Sequence, residues 1–148
     1  MRQKDRTVML LSLKPSFAAM IYRGTKTIEL RRVKPSRRFA KVLIYETSPV
    51  KRITGCFTVR WIKSFSPSRA WARFRARLGV TRRAYRAYFE DCRAAILLAV
   101  SRVRRFSSPI ELSTWGTRIS APRSYRYIDS GVLLGKLPIG RAYKPAPD

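Results

Sequence analysis

Apolar and polar residues follow two different periods along this chain, and the periods mark strands and helices in turn. Thr7–Leu13 is almost continuously apolar, which is typical of a strand buried on both faces. Pro15 opens the next segment, and the apolar residues of Ser16–Arg23 recur at the i, i+3 and i+4 spacing of a helix. Gly24 follows as a typical helix stop. The first part of the chain therefore predicts a strand followed by a short helix.

Four more strands are predicted further along the chain. Thr27–Val33 and Arg52–Lys63 alternate between apolar and polar residues, as strands with one buried face do. Val42–Glu46 and Ala94–Phe106 are apolar runs with the length of buried strands. Gly55 in the middle of a strand predicts a bulge or a close backbone approach.

Two amphipathic helices are predicted between the strands Arg52–Lys63 and Ala94–Phe106. Ser66 precedes Pro67–Leu78 as a capping residue, and Thr81 does the same for Arg82–Glu90. Arginines occupy the outward face of both helices. They are Arg69, Arg73 and Arg77 on the first helix and Arg82, Arg83 and Arg86 on the second.

The order β-α-β-β-β-α-α-β predicts one α+β domain built around a curved sheet, and a small barrel suits this number of strands. We expect residues 1–140 to form the single domain. Beyond Ser107 the chain is rich in turn residues, and residues 141–148 resemble a flexible tail.

The balance of charges indicates a polyanionic partner. Lysine and arginine number 33 against eight acidic residues, and the net charge is +25. Arginine, which provides 24 of the 33, makes bidentate contacts with phosphate and stacks on bases. A GC-rich source could explain arginine in place of lysine, but it does not explain why so few acids are present. We expect nucleic acid as the partner, with RNA favoured over DNA.

The residue inventory excludes several functional classes. The chain has no histidine, and Cys56 and Cys92 are isolated, so a zinc site and histidine-based catalysis are excluded. We expect no metal and no cofactor. The longest apolar runs are far shorter than the ~20 residues of a membrane span, and no signal peptide is evident, so the chain reads as cytoplasmic.

The segment Gly24–Arg31 carries the candidate chemistry. Lys26, Glu29 and Arg31 lie at the junction of the predicted helix and strand, where their side chains can share one side. A surface ion pair between Glu29 and Arg31 is the simplest interpretation, and such pairs contribute only about 0–1 kcal/mol. Alternatively, the lysine and arginine donate to phosphate or base carbonyls while the carboxylate accepts from a base amine.

An ordered set of motifs is similar to the ASCH domain of the PUA-like superfamily. The set consists of Val8–Leu13 with Lys14-Pro15, Gly24-x-Lys26-x-x-Glu29-x-Arg31, Tyr45-x-Thr47-Ser48-Pro49-Val50, Tyr88-Phe89, and residues 121–127. The resemblance covers about residues 7–128. It implies a PUA-like mixed β-barrel with short helices across its openings. It also implies a cleft lined by the Lys26 segment and the Thr47-Ser48-Pro49 corner.

The resemblance implies several functions for the cleft. Family members are linked to RNA binding, to transcription-coactivator roles, to single-strand ribonuclease activity and, in one branch, to hydrolysis of 4-acetylcytidine. That branch requires a threonine three residues after the lysine and a glutamate on the helix. Here Glu29 occupies the threonine position, and Pro67–Leu78 contains no acid. Arg123 stands where relatives often carry glutamine.

We therefore predict a nucleic-acid binding module that holds a nucleotide in the cleft. Its candidate residues are Lys26, Glu29, Arg31, Tyr45, Thr47, Ser48, Arg123, Ser124 and Tyr125, with the six helix arginines as phosphate contacts. The tyrosines would stack on bases, unless they line the core, and Thr47 and Ser48 would bind the ligand, unless they only build their turn.

Two other functions remain open. The first is an enzyme acting on RNA or a modified nucleoside, with Lys26 as base or nucleophile and Glu29 as acid, although we favour binding without catalysis. The second is a DNA-binding regulator that uses residues 70–90 as a helix-turn-helix.

Overall fold

The computed structural model describes residues 7–39, 41–115 and 119–129. Six strands form one sheet in the order β2-β5-β4-β3-β1-β6. They are β1 (Thr7–Leu13), β2 (Ile28–Arg31), β3 (Lys41–Glu46), β4 (Arg52–Phe65), β5 (Ala95–Ile110) and β6 (Tyr125–Asp129). β1 and β3 are parallel, and the other neighbouring strands are antiparallel.

Three helices begin and end at residues with clear local causes. They are α1 (Pro15–Arg23), α2 (Pro67–Leu78) and α3 (Arg82–Tyr88), and a 3-10 turn follows at Leu112–Trp115. The hydroxyls of Ser66 and Thr81 accept hydrogen bonds from the first turns of α2 and α3. Gly24 and Gly79 end α1 and α2 with φ of 80° and 64°, which is the left-handed conformation that glycine adopts most easily.

Three buried clusters hold the helices to the sheet. α1 packs through Ala18 and Ile21 on one face of β1, β3 and β4. α2 and α3 pack through Phe74, Leu78 and Tyr85 on β2 and β5. The third cluster lies on the other face of β1 and β3, where it reaches Trp115 in the 3-10 turn. The sheet is therefore covered by helices at both ends of the strand order.

Gly55 lies at the close backbone approach that its position in the strand predicts. A Cβ atom there would collide with the carbonyl oxygen of Arg104 on β5 and with the ring of Tyr22 on α1. The register between β4 and β5 shifts between Ile53 and Gly55. Only glycine leaves room for the two strands and the tyrosine to meet at this point.

The structure confirms the α+β class and every predicted helix and strand, with some changes at their ends. β4 and β5 run further than predicted, and the turn-rich region beyond Ser107 also contains the 3-10 turn and β6, which the pattern did not predict. α3 ends at Tyr88 rather than at Glu90. Ala70, Phe74 and Leu78 are the buried residues of α2, and Trp71 is only partly buried.

A closed barrel is not shown. Among the described strands, the edge strands β2 and β6 do not pair with each other. The sheet nevertheless curls enough for Arg31 of β2 to reach Ser124, the residue before β6, with a hydrogen bond of 2.8 Å. The predicted domain of residues 1–140 stays a prediction, and the predicted tail lies outside the described residues. In the described part of the chain, no helix combines the length and apolar character needed to span a bilayer.

Candidate nucleotide cleft

Lys26 forms the floor of the site. It is only 3% exposed, and its Nζ atom donates a hydrogen bond of 2.6 Å to the carbonyl oxygen of Leu78, the last residue of α2. The Phe17 ring lies below the ammonium group at 5.4 Å. Burial lowers the pKa of Lys26 below its ordinary value of 10.5, the Glu29 charge opposes that change, and the Arg31 charge adds to it. Lys26 therefore ties the carboxyl end of α2 to the site.

Glu29 and Arg31 lie next to Lys26 as the spacing predicts. Glu29 is 5% exposed, and its Oε1 atom accepts a 3.0 Å hydrogen bond from Nη2 of Arg31. Its Oε2 atom is 3.9 Å from Nζ of Lys26, which is an ion pair rather than a hydrogen bond. Among the described residues, Glu29 Oε2 and Arg31 Nε have no hydrogen-bond partner. The contact between Glu29 and Arg31 is thus more than a surface ion pair, because Glu29 is buried and the two side chains keep one buried acceptor and one buried donor without a partner.

Ser124 is held in place by the strand beside it. The main-chain N–H of Ser12 in β1 donates to the carbonyl oxygen of Ser124 at 2.9 Å, and the Ser12 hydroxyl donates to the carbonyl oxygen of Pro122 at 2.6 Å. These two contacts fix the segment that enters β6. The Ser124 hydroxyl accepts from Arg31 and retains its own proton as a donor.

Aromatic side chains flank this point. Tyr125 and Tyr127 form a T-shaped pair with ring centroids 5.7 Å apart, and Phe39 lies 6.5 Å from Tyr127. The guanidinium of Arg37 lies 5.5 Å above the Tyr127 ring. Burial raises the pKa of Tyr125, while the nearby Arg31 charge lowers it. Tyr125 is only partly buried, so its ring is accessible for stacking.

The other predicted cleft residues lie in different places. Tyr45 is 7% exposed and lies in the cluster on the opposite sheet face from Tyr125, so it lines the core and does not offer a stacking surface. The Thr47 N–H donates to the carbonyl oxygen of Leu13, which serves the turn after β3. Ser48 is exposed at the start of a cis Ser48–Pro49 bond, and Arg123 is exposed beside Ser124.

All six predicted phosphate-binding arginines are exposed on α2 and α3. Arg73 lies over the rings of Phe65 and Phe74 at 5.8 and 5.3 Å, and Nε of Arg77 donates to the Thr27 hydroxyl at 2.9 Å. Arg82 and Arg86 face a groove between the two helices, whereas Arg83 is not among the residues that line it. The arginines therefore form two groups with different surroundings.

The helix-turn-helix interpretation is not supported by this arrangement. α2 and α3 are joined by residues 79–81, but both pack on β2 and β5 in place of a third supporting helix. α3 is also only seven residues long. A recognition helix needs a free face of greater length to read several bases in a major groove.

Two residues near the site were not predicted as part of it. Tyr88 on α3 reaches the carbonyl oxygen of Leu30 with its hydroxyl at 3.4 Å, and Arg32 lies 4.4 Å above its ring. Ser12 positions Ser124. Ser12 is a polar residue inside an apolar strand, and this break in the pattern is the signal that could have identified it.

Comparisons with known proteins agree with these features. A family model of the ASCH domain matches residues 11–105. The ASCH domain-containing ribonuclease of Zymomonas mobilis is 35% identical over 92 residues, which are 62% of this chain and 62% of that protein. The ATP synthase subunit alpha and the large ribosomal subunit protein uL22 of Ureaplasma parvum are 25% and 22% identical over 84% and 85% of this chain. The matched segments make up only 16% and 40% of those two proteins.

Solved structures show the same fold. The ASCH protein of Zymomonas mobilis has a TM-score of 0.80 at 27% identity, with 88% of this chain and 93% of that chain covered. A variant of that protein with tyrosine replaced by phenylalanine has a TM-score of 0.79 at 25% identity, with 86% of this chain and 94% of that chain covered. The N-terminal domain of Staphylothermus marinus McrB has a TM-score of 0.55 at 13% identity, with 86% of this chain and 90% of that chain covered, and shares the fold alone. The motifs, the fold and the family model agree, and the chain belongs to the ASCH domain family.

Proposed function

We propose that this protein binds single-stranded RNA and holds one nucleotide at Arg31, Ser124 and Tyr125, above the buried Lys26–Glu29 pair. The observation that carries the proposal is the guanidinium of Arg31, which is fixed between Glu29 and Ser124 by two hydrogen bonds. An arginine has five N–H donors, so a guanidinium held in this way still has donors for a phosphate or a base. Because it is already oriented, little side-chain entropy is lost on binding.

The surroundings of Arg31 supply the other parts of a nucleotide site. Tyr125 offers a partly exposed ring for a base, and stacking on an aromatic residue contributes about 1–3 kcal/mol per base. The proton of the Ser124 hydroxyl is free for a phosphate or a base oxygen. The net charge of +25 adds attraction for the RNA backbone. The Zymomonas mobilis relative is named a ribonuclease, which supports RNA over DNA as the partner.

RNA cleavage is the second candidate function, and one observation favours it besides the name of that relative. Burial lowers the pKa of Lys26, which brings the lysine closer to acting as a general base. However, its Nζ atom donates a hydrogen bond to the carbonyl oxygen of Leu78 and lies beside the Glu29 carboxylate, which favours the protonated lysine. Hydrolysis of acetylated cytidine is not expected, because α2 offers no carboxylate opposite the lysine.

The test uses labelled single-stranded RNA and reads binding and cleavage in the same samples. Glu29→Gln and Ser124→Ala should each change the preference among bases and leave the salt dependence nearly unchanged. Arg73→Ala, on the exposed face of α2, should do the reverse and lower the slope of log K against log salt by about one. Identical behaviour of the cleft variants and Arg73→Ala would contradict the cleft assignment. RNA cleavage by the natural protein that is lost in Lys26→Met would contradict binding without catalysis and support the ribonuclease function.

A further inference from the structure

A groove of about 470 Å³ lies between α2 and α3. Its walls include Trp71 and Arg75 of α2, Arg82 and Arg86 of α3, and Tyr85 and Phe89. None of these residues belongs to the Arg31 cleft. Its volume falls within the range of small-ligand sites, roughly 300–1,000 Å³.

The aromatic wall of the groove is fixed before any ligand arrives. The Tyr85 ring lies 5.0 Å from Trp71 and 4.8 Å from Phe89, measured between centroids. The Tyr85 hydroxyl donates a 2.6 Å hydrogen bond to the carbonyl oxygen of Pro67 at the start of α2. This bond joins α3 to α2 across the groove. Trp71 remains partly exposed and lines the groove.

The charged residues of the groove are all cationic. Arg82 and Arg86 lie one helical turn apart on α3, and Arg75 lies on α2. Among the described residues, no carboxylate lines the groove. A ligand that matches this wall carries a flat apolar ring together with negative charge. A nucleotide has both parts, and arginine is the side chain best suited to its phosphate.

We propose that the groove binds one nucleotide of a single-stranded RNA, with the base against Trp71 and the phosphate between Arg75, Arg82 and Arg86. An acidic protein helix is the less suitable occupant, because its aliphatic side chains require holes between aliphatic residues, whereas this groove is lined by Trp71 and three arginines. The proposal extends the proposed function to a second subsite, and it rests on residues that the cleft does not use.

The experiment follows the emission of Trp71 as its own reporter. Trp61→Phe and Trp115→Phe leave Trp71 as the single tryptophan of the chain, and this protein is titrated with AMP and with a short oligoadenylate. We expect both AMP and the oligoadenylate to quench the emission of Trp71. Arg82→Ala should weaken AMP binding about fivefold or more, while Arg60→Ala, at an exposed arginine of β4 outside the groove lining, should leave AMP binding unchanged. If the double Trp replacement unfolds the chain, competition between AMP and labelled oligoadenylate compares the same two arginine variants in the otherwise natural protein.

The results of these titrations show whether the groove binds a nucleotide. Absence of quenching by AMP, or equal effects of Arg82→Ala and Arg60→Ala, would overturn the groove site. Quenching by an acidic peptide without quenching by AMP would assign the groove to a protein partner instead. Glu29→Gln distinguishes the two sites, since it should alter base preference in the cleft and leave Trp71 quenching as it is. Loss of quenching in Glu29→Gln would show that the signal comes from the cleft and would also overturn the proposal.

Discussion

At the scale of the residue, Lys26 shows how a buried charge is retained. Its ammonium group loses solvation on burial. A hydrogen bond to the carbonyl oxygen of Leu78, the Glu29 carboxylate and the Phe17 ring offset this loss. The carbonyl belongs to the carboxyl end of α2, where cations are favoured by the helix dipole. Lys26 is therefore both a structural cap and the floor of the cleft, and its protonation is linked to folding.

The pH dependence of stability follows from the lowered pKa of Lys26. Between that lowered pKa and the ordinary value of 10.5, the unfolded chain binds more protons than the folded one. The free energy of unfolding contributed by this group therefore rises with pH in that interval, and it is lost again as pH falls through the folded pKa. Lys26→Met should remove this rise while keeping the stem that packs on Gly79.

Urea unfolding of the natural protein and of Lys26→Met, at a series of pH values up to 10.5, measures this contribution. We expect the difference in free energy of unfolding between the two proteins to change with pH in favour of the natural protein. Lys63→Met, at an exposed lysine over Trp61, is the matched control and should show no such trend. A difference that stays constant with pH would mean that Lys26 has the same pKa in the folded and unfolded chain.

At the scale of the element, α1 and α2 end in the same way but in different surroundings. Gly24 and Gly79 both adopt a positive φ, which costs a residue with a side chain about 1 kcal/mol. A Cβ atom at Gly24 would meet nothing within 4 Å. At Gly79 it would lie 3.0 and 3.1 Å from Cβ and Cγ of Lys26. A side chain at the end of α2 would therefore press on the Lys26 side chain, whereas one at the end of α1 would not.

Replacing each glycine with alanine separates backbone strain from this coupling. Gly24→Ala should lower the free energy of unfolding by about 1 kcal/mol, from the positive φ alone. Gly79→Ala should lower it by about 2–3 kcal/mol, because the added methyl group also displaces the Lys26 stem. Chemical denaturation of both variants gives the comparison. Equal decreases in the free energy of unfolding would show that the Lys26 side chain moves aside at no energetic cost. In that case α2 would not be coupled to the cleft through this contact.

At the scale of the whole molecule, charge and shape act together. The arginines of α2 and α3 are exposed, and the two helices leave the groove between them. The cleft lies where the curled sheet brings its two edge strands together, at Arg31 and Ser124. A single strand of RNA that contacts both would run along a surface with many cations and few acids.

Binding to RNA should therefore depend steeply on salt. If about six to ten phosphates are contacted, the affinity should fall by about three to five decades between 50 and 200 mM salt. Arg69→Ala, at an exposed arginine of α2, should lower the slope of log K against log salt by about one. Glu29→Gln should leave that slope unchanged. An affinity that is independent of salt would contradict phosphate binding as the main source of attraction.

Local pattern alone determined much of the fold. Apolar periodicity identified the helices and five of the six strands, since each of them buries a stripe or face that shows in the sequence. Capping residues such as Ser66 and Thr81 identified where α2 and α3 begin. The spacing of Lys26, Glu29 and Arg31 was also sufficient to bring them together, because the three residues lie within six positions of one another at the start of one strand.

Only the tertiary structure decided what depends on distant segments. Arg31 meets Ser124, and Lys26 meets Leu78, because the sheet curls and because α2 packs across β2, and neither contact leaves a local trace. Tyr45 was a candidate for stacking until the parallel pairing of β1 and β3 placed it on the core side. β6 was missed because its residues are only partly apolar and it pairs with a strand more than 100 positions earlier. Sequence periodicity reports which face of an element is buried, whereas the partner that buries it is set by the packing of the whole chain.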